Sequence, residues 1–296
     1  MCPVATTNMR QSSKIGSMVQ IRHILFLSLL LVISPKLLHA QESADLHPYL
    51  TEKFFTDLGV FFPERRIKLS AHGSTGDPNQ LIDFNREFGL NESDETFAVD
   101  LGWRIGEKWV LLGQYFDSSG TSRWTLDEDI EWKDVVFQEG SNIAAGSDFL
   151  VARLFLGRAL DTSDRHEFGL GVGLHWLEIS AFMEGTIIVG GGGTASRRES
   201  THSEQLLPNI GAWYKYSITP RWAIRGRLDW LDADVGKYDG ELINISVGVN
   251  FQIAKHFGLG LNYNDFELDV VIDKADWRGR IFQNYEGLYV YLSAYW

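Results

Sequence analysis

The chain has 296 residues, 27 basic and 39 acidic side chains, a formal net charge of −12 and an aromatic content of 13%. So acidic a polypeptide repels phosphate, which excludes nucleic-acid binding. A single cysteine, Cys2, excludes an intramolecular disulfide and a thiolate metal cluster.

Ile24 to Ile33 are apolar except for Ser28. Arg22 precedes them, Pro35 and Lys36 follow, and Leu38-His39-Ala40 leads into polar Gln41-Glu42-Ser43. A basic start, a short apolar run and a small-residue exit predict a secretory signal peptide over residues 1–40, cleaved after Ala40. The apolar run is shorter than the roughly 20 residues that a membrane-spanning helix needs. Met18 offers a more ordinary start, which would leave residues 1–17 untranslated. Removal of residues 1–40 takes away four basic residues and no acidic one. It leaves 23 basic and 39 acidic side chains, a net charge of −16, and no cysteine.

Residues 41–53 form a short segment expected in the periplasm. From residue 54 to 296 the dominant pattern is alternation with a period of two, and no stretch there has 18 consecutive apolar residues. Ile243, Ile245, Val247, Val249, Phe251 and Ile253 alternate with Asn244, Ser246, Gly248, Asn250 and Gln252. Phe168, Leu170, Val172, Leu174 and Trp176 alternate with Gly169, Gly171, Gly173 and His175. One apolar and one small or polar face per strand is the signature of a β-barrel with lipid outside and a polar lumen inside. The fold class predicted is all-β, an antiparallel transmembrane β-barrel. Ten strands are expected, at 55–73, 95–105, 109–118, 149–159, 166–184, 205–218, 222–235, 240–253, 257–270 and 281–296, with eight and twelve as the alternatives. Pro63 interrupts the first strand, where a bulge or a hairpin is expected. Short turns at 106–108, 161–166, 219–221 and 254–256 alternate with longer polar connections at 74–95, 118–147, 185–204, 234–240 and 271–279. The short ones are expected in the periplasm and the longer ones outside. Trp103, Trp109, Tyr216, Trp222, Phe251, Phe257 and Trp296 lie near short turns or the C-terminus, and Tyr115, Trp176, Trp230 and Tyr263 lie toward the long connections. They fit two interfacial girdles.

The alternation assigns charges to the lumen. Asp100, Arg104, Arg153, Lys215, Arg225, Arg227 and Asp229 all occupy the polar face of their strands, because a charge facing lipid at the midplane costs several kcal/mol. Trp213, Tyr289, Tyr291 and Tyr295 share that face. In so narrow a barrel these side chains form a structural ion-pair network that fills the lumen; a narrow pore for small solutes is the alternative.

Hydrolytic chemistry needs a nucleophile, a base and an acid in mutual reach. His72 with Ser70 and Ser74, and His175 with Glu178 and Ser180, are the candidates, but spacing alone brings neither set together and Gly-x-Ser-x-Gly is absent. No enzyme and no cofactor is expected, an outer-membrane hydrolase of lipid or peptide being the further alternative. Gly169-x-Gly171-x-Gly173 lies inside a strand, which excludes a dinucleotide loop. Gly190 to Gly193 lacks a following Gly-Lys-Ser/Thr and reads as a loop tip. Asp127, Glu128, Asp129, Glu131 and Asp134, and Asp265, Glu267, Asp269, Asp273 and Asp276, read as solvated acidic surface without calcium-loop spacing.

Several segments carry a resemblance. They are Asp57-Leu-Gly-Val-Phe-Phe-Pro63, Phe88-Gly-Leu90, Gly171-Val-Gly-Leu-His-Trp176, Pro208-Asn-Ile-Gly-Ala-Trp213, Thr219-Pro-Arg-Trp222, Tyr238-Asp-Gly240 and the alternating end Tyr289 to Trp296. On these the chain resembles a family of proteobacterial outer-membrane β-barrel proteins, small OmpA-like or porin-like barrels. The resemblance implies fold and location and brings no activity with it. It also implies outer-membrane lipid and lipopolysaccharide as surroundings, and recognition of the C-terminal strand ending in Trp296 by the barrel-assembly machinery. A monomer is expected. The Pro208 and Tyr238-Asp-Gly240 motifs are assigned to loop–strand junctions.

Overall fold

The computed structural model describes residues 46–72, 82–83, 95–127, 129–132, 135–189, 193–235, 238–274 and 277–296. The expected signal peptide lies outside them. A single helical turn, α1 (Pro48–Thr51), precedes the strands β1 (Phe54–His72), β2 (Ile82–Asp83), β3 (Thr96–Ile105), β4 (Trp109–Thr125), β5 (Ile130–Trp132), β6 (Val135–Phe137), β7 (Asn142–Thr162), β8 (His166–Val189), β9 (Gly193–Thr219), β10 (Trp222–Val235), β11 (Tyr238–Ala254), β12 (Phe257–Lys274) and β13 (Trp277–Tyr295). Ten of these pair in the order β13-β12-β11-β10-β9-β8-β7-β4-β3-β1, and a β13–β1 pairing closes the ring; β2 is a short addition to β1 and β5–β6 a separate hairpin. The fold is a closed, antiparallel, ten-stranded β-barrel.

Alternation sets the two surfaces. On β8, Val172 is 61% exposed and Leu177 fully buried; on β13, Leu292 is 60% exposed and Tyr291 1%. The outward run Phe168 to Trp176 covers eight steps of about 3.4 Å. At a tilt near 40° it rises about 21 Å, close to the roughly 25 Å apolar band of outer-membrane barrels. The seam between first and last strands is sealed by aromatic stacking: Phe54 lies between Trp103 and Trp296, with ring centroids 5.7 and 6.0 Å away.

Pro63 forms neither a bulge nor a hairpin. β1 runs through it in unbroken register with β13, Phe62 opposite Leu288 and Pro63 opposite Gly287. On its other side β1 leaves β3 at Phe61 and meets β2 only at Lys68 and Leu69. Among the described residues, therefore, the proline sits where that ladder has already ended. Gly287 permits the close approach: a Cβ there would lie 2.0 Å from the Phe62 carbonyl oxygen.

The same logic corrects the reading of Pro208. It lies inside β9, opposite Leu174 of β8, not at a loop junction. β9 stays paired with β10 only as far as Ile210 opposite Trp230. Beyond that point, among the described residues, its β10 side has no partner, and the proline needs none.

The long polar connections are also revised. Most of residues 118–147 and 185–204 continue the strands, so β7, β8 and β9 reach 21, 24 and 27 residues. About 9–11 residues suffice to cross a bilayer, so these strands stand as a raised wall beyond the apolar band. Cross-strand pairs such as Arg198 with Glu184, at 3.0 Å, let polar sequence remain strand. β10–β11 and β12–β13 are separated by only two residues each.

Candidate functional site: the filled lumen

The lumen is occupied in three tiers. At the end with the short turns, α1 folds into the barrel mouth. The His47 amide donates to Ser217 Oγ at 3.1 Å, and the buried Tyr49 ring meets Phe55 and Tyr295 edge-on at 5.0 and 5.2 Å. The Tyr49 hydroxyl sits 2.9 Å from both carboxylate oxygens of Asp57, whose Oδ1 also accepts from Ser293 Oγ at 2.6 Å. Burial holds the His47 imidazole down to about 4. Beside this plug Glu167 accepts from Arg104 and from Trp213 Nε1 (3.0 Å), with Lys215 Nζ 3.6 Å away. Trp213 fits because Gly169 opposite it has no Cβ; one there would fall 2.2 Å from the indole ring.

The middle tier is ionic. Arg225 reaches Asp57 at 2.5 Å and Asp100 at 3.2 Å. Arg227 lies 3.9 Å from Asp100 and 3.6 Å from Asp229, and Arg153 donates to Asp229 at 2.6 Å. The Arg153 and Asp229 side chains are completely buried. Neutral amides extend the network. Asn209 donates to Asp229 (3.1 Å), His175 Nδ1 meets Asn209 Oδ1 (3.1 Å), and Asn244 donates toward His175 Nε2 and Gln114 (both 3.3 Å). Arg227 donates to the same Gln114 oxygen at 2.9 Å, which returns the chain to Asp229. With its proton on Nδ1, a neutral His175 satisfies both neighbours. The ring of contacts ties β4, β8, β9, β10 and β11 together across the lumen.

The third tier, toward the raised wall, is built on aromatic rings, among which the buried Arg65 donates to Ser118 Oγ at 3.2 Å. Phe61, Phe116, Phe149, Phe266 and Tyr285 are buried inside the barrel, with Phe149 stacked on Tyr285 at 4.7 Å and 9°. A cavity of about 50 Å³ beside Phe55, Asp100, Lys215 and Arg225 has room for a few waters only.

The structure brings all seven sequence-assigned lumen residues into this network: Asp100, Arg104, Arg153, Lys215, Arg225, Arg227 and Asp229. It adds members that sequence reasoning missed, above all Asp57 and Glu167. The signal was the imbalance of the set, five cations against two carboxylates; both missing anions lie on lumen-facing positions of their strands. The hydrolytic sets fare differently. His175 points inward while Glu178 and Ser180 lie on the outer face of the same strand, because the side-chain period is two. The side chains of Ser70 and His72, and all of Ser74, fall outside the described residues. So do Glu128, Asp134 and Asp276 of the acidic stretches. Asp265, Glu267 and Asp269 belong to the outer wall of β12, not to a loop, and Asp269 accepts from Arg280 at 2.5 and 2.8 Å.

A closed antiparallel barrel with an apolar belt and two aromatic rims places the chain in the fold class of outer-membrane β-barrel proteins. Comparison with solved structures agrees. The chain is similar to the outer membrane protease OmpT of Escherichia coli (TM-score 0.56, 10% identity, 87% of this chain and all of that one). Weaker similarity extends to the toluene transporter TodX of Pseudomonas putida (TM-score 0.36, 8% identity, 84% and 92%) and to the attachment invasion locus protein Ail of Yersinia pestis (TM-score 0.30, 10% identity, 81% and 99%). No protein-family model and no curated protein sequence matches the chain.

Proposed function

We propose that the protein is a resident of the bacterial outer membrane that does not conduct. Its solid barrel acts as an anchor, and the raised wall of β7, β8 and β9 presents a polar surface outside the cell. The observation carrying this reading is the continuous filling of the lumen, from Tyr49 through the Arg–Asp ring to the Phe149–Tyr285 stack. The short turns and the α1 plug face the periplasm, and the end where β7, β8 and β9 project beyond the belt faces outward, as the larger extracellular end of such barrels does. Outer-membrane lipid and lipopolysaccharide surround the belt, the β13 strand ending at Trp296 is the segment offered to the assembly machinery, and the working unit is a monomer. Planar-bilayer recording of the refolded protein tests this: the lumen as packed here gives no discrete conductance steps. Reproducible channels of uniform size would overturn the anchor reading in favour of a pore.

A further inference from the structure

On the outer face of the raised wall, two cross-strand pairs of β8 and β9 lie side by side: Glu178 opposite Glu204, and Ser180 opposite His202. They occupy the next outward positions beyond Trp176 and Leu206, which expose large apolar side chains as the belt does. Two carboxylates directly opposite on neighbouring strands repel each other. Elsewhere on the barrel, outward carboxylates such as Glu184, Asp269 and Glu286 are held by Arg198, Arg280 and Arg66. Among the described residues, Glu178 and Glu204 have only His202, at 3.9 and 3.5 Å. One ligand atom from each of the three lies within 4.8 Å of the others.

We propose that Glu178, His202 and Glu204 form a binding site for a divalent cation of the zinc class. One imidazole nitrogen and two carboxylate oxygens are the ligand set that such an ion takes, at about 2.0–2.2 Å. Closing to those bonds asks only for rotation of solvated side chains, since all three stand on paired strands. The Ser180 hydroxyl, 3.0 Å from His202 Nδ1, accepts that N–H and leaves Nε2, the nitrogen nearer Glu204, with its lone pair free for metal; such partners orient ligating histidines. Bound cation offsets the repulsion between the two facing carboxylates. Three protein ligands leave a fourth position for water or an anionic oxygen, such as a phosphate.

The test is calorimetric titration of the full refolded protein in detergent with ZnCl₂, and separately with MgCl₂. One saturable zinc site is expected, with no comparable magnesium binding. His202→Ala and Glu204→Gln should each weaken it at least tenfold, while β-sheet circular dichroism and thermal unfolding without metal stay as in the parent. Ser180→Ala should weaken it less, as a positioning residue does. Absence of saturable binding, or zinc binding that either ligand variant leaves unchanged, overturns the site.

Discussion

Replacing Asp229 by alanine tests whether the lumen is dry. Asp229 is fully buried and accepts hydrogen bonds from Arg153 at 2.6 Å and Asn209 at 3.1 Å, with Arg227 3.6 Å away. In its absence Arg227 still has Gln114 and Asp100. Arg153, among the described residues, keeps only the Phe155 ring, 4.5 Å from its guanidinium carbon. An uncompensated buried charge costs about 3–5 kcal/mol, whereas a solvated pair is worth roughly 0–1 kcal/mol. Asp229→Ala should therefore lose about 3–5 kcal/mol in urea unfolding from phospholipid vesicles, followed by tryptophan fluorescence. The double variant Arg153→Met with Asp229→Leu removes both charges and keeps the volume, and should recover most of that loss. A loss below about 1 kcal/mol for Asp229→Ala alone would mean that water screens Arg153. The packed lumen would then be refuted.

Three other outcomes follow from the same contacts. Tyr49→Phe removes a hydroxyl held by Asp57 and should cost about 1.5–3 kcal/mol. Tyr49→Ala also empties the mouth and should cost about 3–5 kcal/mol in the same unfolding assay. The docked α1 segment should weaken on acidification: His47 falls from 6.5 when exposed to about 4 when buried, so the docked form binds fewer protons. Its contribution is full above about pH 6.5 and declines as pH drops toward 4, by about 3 kcal/mol in all; unfolding at stepped pH should show this decline in the parent and not in His47→Gln. Gly287→Ala drives a Cβ against the Phe62 carbonyl oxygen, which no rotamer change relieves. The yield of folded barrel, read on gels by heat-dependent mobility, should drop sharply.

Much of the barrel was legible in the sequence because one chemical constraint repeats along it. Lipid on one face and a narrow polar interior on the other force period-two alternation, and the ten strand centres followed from it. Strand ends were not legible. Beyond the lipid belt nothing forces alternation, so Gly193 to Glu204 looked like a polar loop although it pairs with β8 throughout. Prolines misled for a related reason. Pro63 and Pro208 were read as breaks, yet each stands where one neighbouring strand has already departed, which only the pairing pattern reveals. The lumen charges were legible from parity, but their partners were not: Asp57 pairs with Arg225 across 168 residues of chain, a contact that only closure creates. The Glu178–His202–Glu204 group was hidden likewise. Glu178 was set beside His175 by proximity in sequence, while its true neighbour is the strand across the hairpin.

The claim on which everything else stands is that alternate residues of each strand meet lipid and a packed interior. The segment expected after cleavage has no cysteine, so single-cysteine variants at each position from 168 to 177, labelled with a fluorophore in vesicles, give a clean readout. Quenching by brominated lipid should be strong at 168, 170, 172, 174 and 176 and weak at the positions between. Uniform quenching along β8, or strong quenching by an aqueous quencher at the intervening positions, would contradict a lipid-embedded barrel with a filled core.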